Sequence, residues 1–439
     1  MNDTLKRRDF LGAGAAVLAA SALPSRSAQG RARKYSNDFL FGAATAGHQI
    51  EGNNTNSDIW FLENIKPTRF GTRSGDACDS YHRYEEDISL LKSFGLDTYR
   101  FSVEWSRIEP SPGQFSNAEL DYYKRVIEAC DKNGVRPVVT FNHFSCPQWF
   151  SALGGWTKPR SVDLFARYCD RVARQLASGM HMATTLNEPQ LRRIQHWIAG
   201  LNSAASRATL DRQREAARTA SGSPEYMAFH LADDDAVQAN LINAHKQGYA
   251  AIKAVAPTLP VGVSLAVVDY QGIGDGSRVN EIREYVDGAW LRAAAETCDF
   301  VGVQNYGRDL VGPKGLIPAP ASAERNMLTL EYYPAALGNT VRYVFEATRK
   351  PVLVSENGIA TSDDGQRIRY IDDALAGLRS AMDEGVPVLG YIHWTLLDNF
   401  EWSLGYWPKF GLVAVDLKTF ARTPKPSAYH LGRRARAWK

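Results

Sequence analysis

The sequence predicts an α/β protein built as a single (β/α)8 barrel, a TIM barrel, with long loops after its strands. Two observations carry this expectation. Short apolar, β-branched segments alternate eight times with amphipathic helical segments in about 400 residues, the pattern of parallel strands joined by crossover helices. Polar and aromatic residues also gather just after nearly every one of those strands, at the end where such barrels place their working groups. A doubly wound open sheet is the main alternative. It would show a Gly-rich phosphate loop after its first strand, and Gly42-Ala43-Ala44-Thr45-Ala46-Gly47 lacks the spacing.

The elements follow in order. Phe39–Thr45 reads as the first strand. A helix runs from Asp87 to Phe94, stopped by Gly95, and Thr98–Trp105 is the second strand. Asn117–Asn133 is a helix with Ser116 or Asn117 as N-cap and Gly134 behind it. Arg136–Phe141, the helix Asp163–Ser178 and His181–Leu186 come next. A polar segment, roughly 192–235, is rich in Ala, Arg and Ser and holds no strong strand. The helix Ala236–Val255, the strand Leu259–Val268, the helix Glu281–Thr297 and the strand Phe300–Asn305 follow. A Pro/Gly-rich loop spans Gly312–Pro320, ahead of the helix Ala335–Thr348. Val352–Ser355 is a short apolar run of the kind buried on both faces. Its end, Glu356-Asn357-Gly358, reads as a carboxylate followed by a turn pair that tolerates positive φ. The helix Arg367–Glu384, the strand Val388–Trp394 and a weak last helix near Ser427–Ala437 complete the pattern.

Bulk properties set limits. A chain of 439 residues with 44% hydrophobic content supports one large α/β domain. Net charge is +3 with no basic stripe, so no nucleic-acid partner is expected. Five scattered cysteines without a CxxC read as buried free thiols. His and carboxylates lack tight ligand spacing, so neither a metal nor a cofactor is expected. The N-terminus differs from the rest. Lys6-Arg7-Arg8-Asp9-Phe10-Leu11 precedes an Ala/Gly-rich apolar stretch, which resembles a twin-arginine export signal and is too short for a comfortable membrane span. Residues 1–33 are accordingly read as leader and 34–439 as the barrel, with a periplasmic or secreted location and no membrane span in the mature chain.

At the strand ends two carboxylates stand out, Glu188 after the fourth strand and Glu356 after the seventh, on strands expected to face each other across the barrel. Paired carboxylates at one barrel rim suit glycoside hydrolysis, one acting at the anomeric carbon and the other on the leaving oxygen. Around them the strand ends supply His48, Gln49, Glu51, Arg100, Glu104, Asn142, His143, Asn187, Gln304, Asn305, Tyr306, Trp394, Asp398, Asn399, Glu401 and Trp402. Two ion pairs, Glu104–Arg107 and Asp87–Arg83, read as structural, and His245 as a helix-packing residue.

These residues sit in a recognisable order. Thr185-Leu186-Asn187-Glu188-Pro189 and Ser355-Glu356-Asn357-Gly358 resemble the two signature motifs of glycoside hydrolase family 1, the β-glucosidase family. Phe39–Gly52, Tyr99–Ile108, Trp394–Trp402 and Phe410-Gly411-Leu412 are similar to its other motifs, so the likeness covers most of the chain from about Phe39 to Tyr429. The resemblance implies a retaining β-glycosidase, most often a β-glucosidase, acting on a small β-glycoside or oligosaccharide. Glu356 would be the nucleophile and Glu188 the general acid/base. Arg100 and Tyr306 would contact Glu356 and hold it ionised. Asn187 would hold the sugar 2-hydroxyl; Gln49, His143, Glu401 and Trp402 would bind the other hydroxyls; Trp394, with Phe410 nearby, would form an apolar floor. Relatives acting on 6-phospho-sugars carry Ser and Lys where Glu401 stands, so an unphosphorylated glucose, fucose or galactose is implied.

The chain departs from the family pattern at Gln304, where Asn is usual, at Gln190, at His143-Phe144-Ser145, and across the 192–235 segment. Most of these positions are expected on the leaving-group side. Transglycosylation uses the same site and is not separable from hydrolysis by sequence. A sugar-binding protein on a dead hydrolase scaffold is disfavoured, because both carboxylates and their partners are present.

Overall fold

The computed structural model describes residues 39–198, 203–232 and 235–438. The export signal read at residues 1–33 therefore lies outside the described residues. Eight parallel strands close into a barrel: β1 Leu40–Ala44, β2 Thr98–Ser102, β3 Arg136–Asn142, β4 Met182–Asn187, β5 Val261–Ala266, β6 Phe300–Asn305, β7 Val352–Asn357 and β8 Val388–Trp394. Each pairs with its neighbour in sequence, and β1 returns to β8 with Leu40 opposite Gly390 and Ala44 opposite Trp394. This closure excludes the open doubly wound sheet. It also removes every strand edge.

Eight helices ring the strands: α1 Ser80–Ser93, α2 Asn117–Lys132, α3 Ser161–Leu176, α4 Asp235–Val255, α5, α6 Ala336–Thr348, α7 Asp364–Asp383 and α8 Pro426–Trp438. Helix α5 starts as Val279–Arg283, passes through a π turn at Glu284–Gly288 and ends as Ala289–Thr297. Ser116 caps α2 by accepting from the Glu119 N–H, as its sequence implies. On β7 the period of two is visible: Val352 and Val354 pack outward among the helices, while Leu353 packs inside with Leu40, Val138, Met182, Phe300 and Ile392. All five cysteines are buried free thiols. His245 is buried on α4, where its Nδ1 lies 2.7 Å from Thr185 Oγ1, so its packing role holds.

Three features differ from the sequence reading. The 192–235 segment contains helices at Leu191–Trp197 and Ala204–Ser221. The second packs Leu210 and Ala217 against Leu62, Tyr226 and Leu231, a cluster of its own beside the main core. The Pro/Gly-rich loop holds a hairpin, Arg308–Gly312 with Gly315–Ile317, to which Asp269–Gly272 adds a parallel third strand. Both ion pairs are also different. Arg107 pairs with Glu51 at 2.8 Å, and Glu104 instead accepts from the His48 N–H and the Asn54 amide. Asp87 pairs with Arg422 at 2.9 Å, while Arg83 reaches Asp79 and Glu86. Local spacing suggested the nearer partners; the barrel brings distant ones closer.

The Asp87–Arg422 pair ties α1 to the chain leading into α8, and both side chains are 1% exposed. Removing one partner of such a pair strands the other charge in a dry setting. Arg422→Ala should destabilise the fold by about 3–5 kcal/mol, read as a lowered denaturation midpoint. The Asp87→Asn/Arg422→Met double variant should lose less, and equal loss in both would show that the pair's charge is not the cause.

Candidate active site

The site forms at the C-terminal rim, and two irregularities in the sheet build it. Strict alternation along β4 from inward-facing Thr184 would turn Asn187 outward. The register with β5 shifts between Thr184 and Asn187, so Thr185 and Leu186 both pack outward and Asn187 turns in. On β7 the register with β6 shifts between Val354 and Glu356, which brings Glu356 inward. Such bulges re-aim a side chain at a sheet's end. Glu188 follows with φ at +42°, a left-handed conformation for a non-glycine residue. Strands β4 and β7 are three places apart round the ring, not opposite each other.

The turn expected at Asn357-Gly358 is absent, because the strand continues through Asn357. Neither Asn357 nor Gly358 has positive φ. Asn357 belongs to β7, donating to Asn305 O at 2.7 Å and accepting from the Tyr391 hydroxyl at 3.0 Å. Gly358 is required because a Cβ there would stand 2.1 Å from Trp394 O.

One polar network links four strands. Arg100, on β2, is fully buried; its guanidinium donates to Glu356 Oε1 at 2.5 Å and to Asn187 Oδ1 at 2.6 Å. The Tyr306 hydroxyl donates to Glu356 Oε2 at 2.6 Å. Gln304 Nε2 donates to Asn187 Oδ1 at 2.7 Å, and Asn187 Nδ2 meets His143 Nε2 at 3.0 Å. Burial, then the charges of Arg100 and His230, hold His143 well below the ordinary imidazole range. It is therefore neutral, accepts at Nε2 from Asn187 and carries its proton on Nδ1, a buried atom with no partner among the described residues.

The two carboxyl groups differ in surroundings. Burial raises the proton affinity of Glu356, and the Arg100 charge and the hydrogen bonds from Tyr306 and Arg100 pull it back. Its net direction is up, so Arg100 offsets part of the burial effect and does not reverse it. Glu188 is driven well above the carboxylate range by burial and then by the charge of Glu356. Where the two share one proton, it resides on Glu188.

Gln49 is fully buried and donates to Phe400 O at 2.8 Å and Glu401 Oε2 at 3.4 Å. Burial, then Glu356, pushes the Glu401 carboxyl up to about 8. Trp394 stacks on His143 with centroids 5.7 Å apart, and Phe410 meets Tyr306 edge-on at 5.8 Å. Trp402 stacks on both His143 and His48 at 5.9 Å. His48 itself sits behind that ring, 3.0 Å from Glu63. Among the described residues no group of His, Cys, Asp and Glu is placed to hold a metal ion.

The glycosyl hydrolase family 1 model matches residues 31–273 and 314–436. The chain belongs to glycosyl hydrolase family 1. The β-glucosidase of Agrobacterium sp. is 30% identical over 90% of this chain and 94% of its own. Among solved structures, the β-glycosidase BGL167 is 46% identical with a TM-score of 0.88, covering 92% of this chain and 97% of that one. The family 1 β-glucosidase of Thermotoga maritima is 26% identical with a TM-score of 0.78, covering 92% and 99%. This family 1 chain is thus a glycoside hydrolase, and its relatives make it a β-glycosidase.

Sequence reasoning assembled most of the site: Gln49, Arg100, His143, Asn187, Glu188, Tyr306, Glu356, Trp394, Glu401, Trp402 and Phe410 all lie at this rim or pack against its members. It expected most of the departures from the family pattern on the leaving-group side; Gln304 is not one of these, since it sits beside Glu356 in the register and on Asn187. It missed Phe229 and His230. They belong to a single turn, Phe229–Leu231, inside the 192–235 segment. Phe229 stacks on Phe144 at 5.4 Å and His230 lies 5.6 Å from Trp402. One turn leaves no periodic signal in a sequence.

The imidazole of His143 gives a direct test of this network. Its ring nitrogen shifts, followed by 15N NMR from about pH 5 to pH 8, should stay in the neutral pattern with the proton on Nδ1. A titration inside that range would show that the dry, cation-flanked site described here is wrong.

Proposed function

We propose that this family 1 enzyme is a retaining β-glucosidase-type hydrolase with Glu356 as nucleophile and Glu188 as general acid/base. The observation that carries the reading is the asymmetry between the two carboxyl groups. Glu356 receives a guanidinium and a phenol hydroxyl, at 2.5 and 2.6 Å, which favour its charged form. At Glu188, which Arg100 does not hydrogen-bond, burial and the negative Glu356 outweigh the Arg100 charge and favour the neutral form.

Two steps follow. A Glu356 oxygen bonds to the anomeric carbon as the bond to the leaving oxygen breaks, and the Glu188 proton moves to that oxygen. A glycosyl ester forms, the Glu356 charge disappears, and Glu188 is left as a carboxylate whose strongest repulsion has gone. Glu188 then takes a proton from water, whose oxygen attacks the anomeric carbon and releases Glu356. Two inversions give net retention. The loss of the Glu356 charge in the first step is what lets one residue serve as acid and then as base.

The glycone reading rests on Glu401, Gln49, His143, Asn187, Trp394 and Trp402. The Glu401 carboxyl can exchange hydrogen bonds with neighbouring hydroxyls in either protonation state, and it offers a phosphate no cation. The leaving group faces the Glu188 side. There a pocket of about 340 Å³, lined by Pro189, Arg192, Phe229, Val237 and Tyr285, opens beside the catalytic turn. Export by the twin-arginine route is part of the proposal: the Arg7-Arg8-Asp9-Phe10-Leu11 run lies ahead of the family match, which begins at residue 31. No described helix is long and apolar enough to cross a membrane.

Glu356→Gly should lower hydrolysis of an aryl β-glucoside by on the order of 10⁴-fold, and azide should restore turnover as the α-glycosyl azide. Unchanged activity, or a β-azide product, would remove Glu356 from the nucleophile's role. The pH dependence has a defined sign. Glu188 works protonated in the first step and its proton affinity is raised, so kcat/KM should hold above the ordinary carboxylate range and fall as pH rises through the Glu188 value. Glu188→Gln should abolish that alkaline limb for an aryl glycoside with a good leaving group, and a limb that survives assigns it to another residue.

A further inference from the structure

We infer that Gln304 is a substrate-contacting, specificity-determining residue: its Oε1 accepts a hydrogen bond from the hydroxyl next to the anomeric carbon, while the free Nδ2–H of Asn187 donates to that same hydroxyl. The inference rests on the β-glycosidase reading above and deepens it by stating what that site demands of the glycone.

Two amides limit how this site can bond a sugar hydroxyl. Asn187 Oδ1 already accepts from Arg100 Nη2 at 2.6 Å and from Gln304 Nε2 at 2.7 Å, which fills both its lone pairs. One Asn187 N–H goes to His143 Nε2 at 3.0 Å. A single N–H remains, so Asn187 meets a sugar only as a donor. A hydroxyl it binds must place its own proton elsewhere.

The orientation of Gln304 is equally constrained. Turning its amide over would set Oε1 against Asn187 Oδ1, oxygen on oxygen, beside a group that the Arg100 guanidinium locks in place. Nε2 therefore faces Asn187 and Oε1 faces away from it. That oxygen is buried, in a residue 1% exposed, and has no partner among the described residues. Leaving a buried amide oxygen unpaired is unfavourable. Gln304 stands opposite Glu356 in the β6–β7 register, and it touches Asn187, whose neighbour is Glu188. Gln304 thus stands next to Glu356 in the sheet and on the residue before Glu188, so we place its oxygen on the side of the hydroxyl next to the reacting carbon. A hydroxyl held between Asn187 N–H and Gln304 Oε1 both accepts and donates. A 2-deoxy sugar can do neither, and a bulky 2-acetamido group does not fit between two amides that the network holds fixed.

The test is kinetic and uses the full-length enzyme. Two aryl β-glycosides with the same leaving group, β-glucoside and 2-deoxy-β-glucoside, are compared in four proteins: wild type, Gln304→Met, Asn187→Ala and the double variant. The 2-hydroxyl preference is the ratio of the two kcat/KM values within each protein, so intrinsic differences in reactivity cancel between proteins. Gln304→Met should lower the preference by about tenfold in the wild-type background. It should lower it again, by several-fold, when Asn187 is already Ala. A residue that merely positions Asn187 has nothing left to position there, so no further change in the Asn187→Ala background overturns the inference. So does a preference that Gln304→Met leaves intact, the outcome expected if ordered water alone satisfies Oε1. Gln304→Asn keeps the amide but withdraws it by one methylene; it should fall between wild type and Met, and it serves if the Met variant does not fold. Failure of wild type to hydrolyse the β-glucoside would instead overturn the β-glucosidase reading itself.

Discussion

A guanidinium with no access to water organises this molecule. Arg100 is fully buried inside the barrel rim, and a charge in that position is tolerated only with carboxylate and amide oxygens around it. Glu356 from β7 and Asn187 from β4 supply them, so one cation on β2 ties together strands on different sides of the ring. Asn187 is in turn braced by Gln304 from β6 and His143, which follows β3. Each side chain is held because its neighbour needs it satisfied. The same contacts set the electrostatics: Arg100 offsets the burial of Glu356, while Glu188 lacks such a contact and rises further. Structural satisfaction of a buried charge and the electrostatic difference between the two carboxyl groups are one arrangement seen twice.

Much of this was legible in the residues. Strand positions follow from apolar runs, and β8 and β6 fall where their sequences put them because buried parallel strands have no polar interruptions. The C-terminal rim was legible because polar side chains are out of place at the end of an apolar strand unless they are used. Shifts of register were not legible. Ser355-Glu356 reads as simple alternation, and only the paired strand reveals that the step between Val354 and Glu356 is irregular. Long-range partners were equally hidden. Arg107 is three residues from Glu104 and pairs with Glu51; Arg83 is four from Asp87, which pairs with Arg422. Sequence proximity on a helix is a weak guide where a closed barrel brings residues hundreds of positions apart into contact.

The Asn357-Gly358 pair shows how a local turn signal can be overridden by the fold. No turn follows Glu356: the strand runs through Asn357, and glycine at 358 serves close approach to the Trp394 carbonyl and not a left-handed backbone. Asn357 is a strand residue whose side chain joins β7 to Asn305 and Tyr391. Glu188, which nothing in its sequence marks as strained, is the residue that takes positive φ. Strain of this sort concentrates where the surrounding structure over-determines the backbone. Here the Glu188 N–H is fixed to Ser264 O at 2.8 Å, and the Glu188 carbonyl accepts from the Leu191 N–H.

Where the chain departs from its family also has a physical logic. The network residues Arg100, Asn187, Gln304, His143 and Glu356 are mutually hydrogen-bonded and buried, so changing one leaves its partner unsatisfied. The segment after β4 is under no such constraint. Its long helix packs through Leu210 and Ala217 into a separate cluster with Leu62, Tyr226 and Leu231. That cluster has its own apolar contacts, so its sequence can change without disturbing the barrel interior. Yet the same segment delivers Phe229 and His230 to the face of Phe144 and Trp402. A barrel built this way separates a coupled network of buried polar groups, which change together, from a segment anchored on its own apolar cluster and freer to vary. Gln304 belongs to the first class by its contacts although it departs from the family pattern, which is why its change is expected to be read in the glycone and not in the leaving group.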